Sequence, residues 1–258
     1  MPVSSNVRRH MQPTAPIQHV YPDWSEKEGQ LLAGLEDAQA EVVVALLAET
    51  PTPEKLIDVA ENAAGFADAM WKKYLHPASP PVACKEGCSW CCYQLVPVSV
   101  PEVARIVKFI ETAMPAARRG ELVERLHLLD KATRGLTSKQ RIGIPKPCAY
   151  LSDGRCTIYP VRPMACAEFT SYNVQDCKRG KRIGFKPGSV IHEKARMIAY
   201  ISVQRGVIRG LKQALPTQDT CDLELVAASV DALAAQNSVS SWLLGEPIFK
   251  NAHLRRTT

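Results

Sequence analysis

Eight of the nine cysteines in this 258-residue chain lie between Cys84 and Cys177. Four of them, Cys84, Cys88, Cys91 and Cys92, fall within nine residues, and Cys148, Cys156, Cys166 and Cys177 follow at intervals of seven, nine and ten residues. Thiolates gathered this densely suit a soft metal: zinc takes four ligands in a tetrahedron with sulfur at about 2.3 Å, and iron–sulfur clusters are likewise held by cysteine. Cys88 and Cys91 have the spacing of one zinc knuckle. Cys91 and Cys92 are adjacent, and neighbouring side chains diverge, so one of the two is available to a second metal. Eight thiols are enough for two four-thiolate sites. Cys221, alone on a stretch that reads as helical, is expected to be plain core, as free cysteine often is.

The elements that must position these thiols read as mainly helical. Ser25 with Glu28 is a capping box, and Leu31, Leu32, Leu35, Val42, Val43, Leu46 and Leu47 continue at helical spacing, giving a helix to about Glu49. Thr52 and Pro53 open a second helix, to about Leu75. The proline-rich run from His76 to Val82 marks a boundary. Beyond Cys92, Ser99 with Glu102 forms another capping box before Val103, Ile106 and Ile110, and Pro115 begins a helix through Leu122, Leu126 and Leu129. Asp153 and Gly154, between short alternating runs, predict a tight hairpin that brings Cys148 and Cys156 together. Ser189 is read as opening a long helix through Leu211, with another from Asp222 to Ala235. The expected fold is a helical domain around an irregular cysteine-rich metal-binding centre with a short β-hairpin. Its divisions are a flexible arm (1–23), a helical hairpin (24–76), a cysteine-cluster domain (77–188) and C-terminal helices (189–258).

Hydrophobic residues make up 46% of the chain, enough for a real core without metal. The longest apolar run, Val42 to Ala48, is far short of the ~20 residues of a membrane span, and no apolar signal core opens the chain. A soluble cytoplasmic protein is expected, and in that reducing compartment the cysteines read as metal ligands before disulfides. The net charge of +6 is concentrated between Ser138 and Gly188, where ten Lys/Arg face three Asp/Glu. Arg155, Arg162, Lys178, Arg179 and Lys181 can offset a negative metal–thiolate centre. That reading is preferred over nucleic-acid binding, because few aromatics are interleaved with these charges and no nucleic-acid motif appears. Pro160 and Pro163 fix the backbone leading to Cys166, with Arg162 between them as a candidate donor to the thiolates or to a carbonyl. His127 and His192 read as non-ligands, and Tyr150 and Trp90 as packing residues.

The strings CKEGCSWCC and PCAYLSDGRCTIYPVRPMAC, followed by Cys177, resemble the YkgJ-like CxxCxxCC cysteine-cluster family. The resemblance covers about Cys84 to Cys177 and implies chelation of zinc or iron. Its cysteine pattern falls on Cys84, Cys88, Cys91, Cys92, Cys148, Cys156, Cys166 and Cys177. In this chain three residues rather than two separate Cys84 from Cys88. The implied cofactor is zinc or iron, the latter including a [4Fe-4S] cluster; the helical flanks lie outside the resemblance and are expected to offer a surface to a protein partner. Two enzyme readings compete. The family also resembles the cluster segment of flagellin lysine N-methylases, but no glycine-rich loop after a strand is present to hold a methyl donor. Cys84, Cys88, Trp90 and Cys91 fit the C-x3-C-x-aromatic-C pattern of radical S-adenosylmethionine enzymes, which demands β/α units that this helical pattern does not supply.

Overall fold

The computed structural model describes residues 25–185 and 188–255, so the arm expected at 1–23 lies outside the described residues. Helix α1 (Glu26–Leu46) begins at the Ser25/Glu28 capping box, and α2 (Pro53–Tyr74) at Thr52, whose hydroxyl accepts the Lys55 amide, with Pro53 in the first turn. Helices α3 (Val100–Ala113) and α4 (Ala116–Thr133), the latter after Pro115, start as the capping signals predict, and α3 is preceded by a strand, β1 (Pro97–Val98), that the sequence did not announce. A short α5 (Ser138–Ile142) follows, capped by Thr137. The hairpin of β2 (Leu151–Ser152) and β3 (Arg155–Cys156) turns on Asp153 and Gly154, both at positive φ (51° and 74°), which a primed two-residue turn requires. A 3-10 turn (Tyr159–Val161) and two short helices, α6 (Met164–Glu168) and α7 (Val174–Ile183), carry the later cysteines.

The long helix α8 (Lys194–Ala214) begins five residues after the predicted Ser189 start. The reason is tertiary. Thr170 takes the Glu193 amide on its hydroxyl (3.1 Å), and its carbonyl lies 2.7 Å from His192 Nδ1, so these residues stay extended. The predicted helix from Asp222 likewise starts late: β4 (Leu223–Glu224) first pairs antiparallel with β1, and then α9 (Leu225–Ala234) and α10 (Ser238–Leu243) follow.

Helix α8 is the spine. Its Gly206 and Gly210 lie so close to α1 that an added Cβ would sit 2.6 Å from the Glu36 carbonyl or 2.8 Å from that of Ala40. Only glycine permits this approach. Helices α1 and α2 pack on one side of α8, and α6 rests against it. A second layer of α3, α4 and α9 closes the main core through Val103, Ile106, Ile110, Leu122, Leu126, Leu225 and Ala228, all essentially inaccessible. Arg134, at the end of α4, clamps this layer, giving paired hydrogen bonds to both Asp130 and Asp231. Among the described residues no helix is long and apolar enough to cross a membrane.

Candidate metal centre

The thiols are delivered by loops and short helices rather than by the long ones. Cys84 to Cys92 form a series of tight turns: the Cys88 amide bonds the Lys85 carbonyl (3.0 Å) across Gly87 at φ 82°, and the Cys92 amide bonds the Ser89 carbonyl (3.1 Å). This loop is tied down twice. At its start the Ala83 amide donates to the Ser171 carbonyl (2.7 Å), and at its end the Cys92 carbonyl accepts the Cys148 amide (2.6 Å). The second tie brings the first cysteine group against the hairpin, where Cys156 pairs with Leu151.

Cys166 is placed by a buried carboxylate. Glu102 caps α3 by accepting the Ser99 amide and hydroxyl (both 2.8 Å), and its other oxygen takes the Met164 amide (2.8 Å) at the start of α6. One side chain therefore locks the beginnings of two helices together. Burial pushes the Glu102 carboxyl up, against the pull of its three donors. Cys177, buried on α7, meets the first group through Ser171. The Ser171 carbonyl also faces the Cys84 thiol at 4.0 Å.

The thiols sort into two neighbourhoods by their mutual repulsion as thiolates. Cys177 feels Cys84, Cys91 and Cys88, and Cys84 feels Cys91 and Cys88. Cys166 feels Cys148, Cys91 and Cys156, and Cys148 and Cys156 lie in that same group. Cys91 belongs to both, and its thiol is hydrogen-bonded with that of Cys92. Among the described residues no three His, Cys, Asp or Glu side chains converge closely enough to hold a metal ion, so the two sets are gathered without being closed. All nine cysteines are free.

Burial dominates the electrostatics. It pushes the Cys148 thiol up to about 12 and that of Cys166 well above its ordinary range, because an unpaired thiolate is poorly solvated there. For Cys91 the hydrogen bond with Cys92 is the largest cause, followed by burial. The cations that oppose these shifts are arginines: Arg162 acts on Cys91, Cys156 and Cys166, Arg141 on Cys148, and Arg196 on Cys84. Arg162, predicted to serve the thiolates, lies beside them and stacks on Tyr159 at 4.4 Å. The other basic residues expected to offset the centre are engaged elsewhere: Arg155 pairs with Glu86, Arg179 with Asp176, and Lys178 and Lys181 lie over aromatic rings.

Cys221 is exposed in the loop before β4, not in the core as its sequence context suggested. That segment is extended rather than helical, so no helix turns the thiol inward. His127 is exposed, and Tyr150 is core, donating its hydroxyl to Ser229 (2.6 Å). Sequence reasoning missed Arg141, Arg196 and the Thr170–Ser171 pair. The serine and threonine carry no periodic signal, and their partners come from distant parts of the chain: Ala83 for Ser171, and His192 and Glu193 for Thr170.

Residues 83–183 match the CxxCxxCC family, described as "Putative zinc- or iron-chelating domain". No curated protein and no solved structure matches the chain.

Proposed function

We propose, from the match of residues 83–183 to the CxxCxxCC family model, that the chain binds zinc or iron through two adjoining sets of thiolates. One set is Cys84, Cys88 and Cys177 with one member of the Cys91–Cys92 pair. The other is Cys148, Cys156 and Cys166 with the remaining member. The observation that carries this reading is the position of Cys91, within electrostatic reach of both groups, while Cys92 is joined to Cys148 through the backbone.

The donor chemistry fits. Buried thiols whose protons are held tightly stay neutral at pH 7, and a soft dication supplies the positive charge that lets them ionise. Binding draws the gathered thiols inward and releases their protons, so affinity rises with pH. Arg141, Arg162 and Arg196 limit the negative charge left on the centre. Bound zinc supplies a cross-link between loops, and an iron–sulfur cluster supplies an electron-transfer couple as well. The metal's role in this reading is to hold the irregular centre together, in the cytoplasm, where thiols remain reduced.

The test is an anaerobic purification with zinc, iron and acid-labile sulfide counted per chain, repeated for Cys88→Ser and Cys156→Ser. Each variant is expected to lose the metal of its own set and retain the other. Identical stoichiometry in the wild type and both variants would remove these residues as ligands. Zinc without sulfide supports a cross-link, and iron with matching sulfide makes methyl-donor binding the next experiment.

A further inference from the structure

The fold divides the basic residues of the centre into two populations. Arginines 141, 162 and 196 favour the thiolates by their charge, while Arg141 also donates to the Ile144 and Lys146 carbonyls and Arg196 lies over Trp71 at 3.7 Å. The lysines of α7 lie over aromatic rings. Lys178 lies 5.4 Å from the Trp90 ring centroid, and Lys181 lies 5.4 Å from Trp90 and 3.5 Å from Tyr93. The two rings come from the cysteine loop, some 85 residues upstream of the lysines, and both are partly exposed. Lys178 and Lys181 with these two rings form a surface of cations interleaved with aromatic rings, and Arg182, four residues beyond Lys178 in α7, is exposed. Its acids are already committed, Glu86 to Arg155 and Asp176 to Arg179. Among the described residues no carboxylate pairs with Lys178, Lys181 or Arg182.

Positive charge held on a helix against two flat rings is the chemistry that recognises an unpaired nucleic-acid strand. Cations follow the phosphates and rings accept bases on their faces. A lysine over an exposed ring is held more weakly than a base stacked on that ring, so the ammonium groups can swing to phosphates as bases take their place. A duplex offers phosphates but no free base faces. An acidic peptide offers charge but nothing to stack.

We infer that α7 together with Trp90 and Tyr93 is a binding surface for single-stranded RNA or DNA. The inference stands independently of which metal occupies the thiols.

The experiment uses the full chain as purified, with metal content measured, and fluorescence anisotropy of labelled 20-nucleotide single strands, one of RNA and one of DNA. Binding is expected at low salt, weakening at least tenfold between 50 and 200 mM salt, roughly the loss expected from a few phosphate contacts. Quenching of tryptophan emission on binding is expected in the wild type and lost in Trp90→Phe. Lys178→Glu with Lys181→Glu is expected to weaken binding at least tenfold at unchanged metal content. Should that pair disturb the centre, Lys178→Gln with Arg182→Gln reads the same charge more gently. RNA bound more tightly than DNA, or the reverse, assigns the strand. No binding at low salt, unaltered binding in both charge variants, or unchanged Trp90 emission overturns the inference. So does a duplex, a sulfated polysaccharide or a polyglutamate peptide that binds as tightly as the single strands, since that marks a surface for any polyanion.

Discussion

The helical frame and the cysteine-rich centre are ordered by different forces. In the frame, α1 lies against α8 with Gly206 and Gly210 at the crossing, and the core side chains Val43, Leu56, Val59 and Val203 have no accessible surface. Its order comes from apolar burial and close backbone approach, which need no ligand. In the centre, single hydrogen bonds set the chain path: Ala83 to Ser171, Cys148 to Cys92, Met164 to Glu102. These fix where the backbone runs, yet they leave the thiols gathered but unclosed. Packing completes the first region, whereas the second is held by a few hydrogen bonds between loops and short helices.

The largest blow to the comparison is steric. Gly206→Leu places carbon where the Glu36 carbonyl and the Gln39 side chain already stand, so α1 must move away from α8. We expect a loss of about 3 kcal/mol in a denaturant titration, at the upper end for overpacking, with metal per folded chain unchanged. A variant as stable as the wild type would show that the crossing is not what holds the frame. Metal removal is the converse test. Chelation is expected to accelerate amide exchange at Cys92, Cys148 and Leu151 by on the order of 10²-fold, corresponding to ~2.7 kcal/mol for a ligand held at 100 times its dissociation constant. Amides within α8 keep their protection. Uniform acceleration throughout the chain would make frame and centre one cooperative unit.

The same contrast decides what was legible in the sequence. Helices α1 to α4 were, because capping boxes and apolar periodicity are local, and Asp153–Gly154 gave the hairpin for the same reason. The eight clustered cysteines were equally plain as a group. Which thiols neighbour which was not, because Cys148, Cys156, Cys166 and Cys177 ride on separate short segments placed by distant partners. The start of α8 failed likewise: Ser189 looks like a cap, but Thr170 holds His192 and Glu193 in an extended path. Glu102 was read only as a cap, and nothing local says that its second oxygen reaches Met164. The basic run seemed to lack aromatics because Trp90 and Tyr93 join it in space rather than in sequence.

Glu102 offers a sharper cut at the boundary between the two regions. In Glu102→Ala the amides of Ser99 and Met164 lose their acceptor in a buried setting, at a cost of about 2 kcal/mol. Because Met164 opens α6, Cys166 is expected to lose its position, so metal should fall in the second set and persist in the first. Equal loss from both sets, counted against the Cys88→Ser and Cys156→Ser variants, would mean that the two sets close as one.

The smallest expected effect concerns Glu224, which joins β4 to α9 and accepts the amides of Val226 and Ala227 (3.0 and 2.9 Å). Burial pushes its carboxyl up from 4.5 to about 6, more than these amides and Arg141 pull it down. The folded protein therefore holds this proton between pH 4.5 and 6 while the unfolded chain has lost it, and stability from this group falls as pH rises through that window and is level above it. The change is on the order of 1–2 kcal/mol. In Glu224→Gln the carbonyl still caps α9 but nothing titrates, so the difference in stability between variant and wild type should grow in the variant's favour from pH 4.5 to 6. Since β1, which β4 pairs with, continues directly from the cysteine loop, the same pH rise should loosen Val96 and Val98 before it touches α8. Hydrogen exchange at the two pH values, corrected for intrinsic rates, reads that order, and simultaneous loosening of α8 would erase the distinction between frame and centre at this edge.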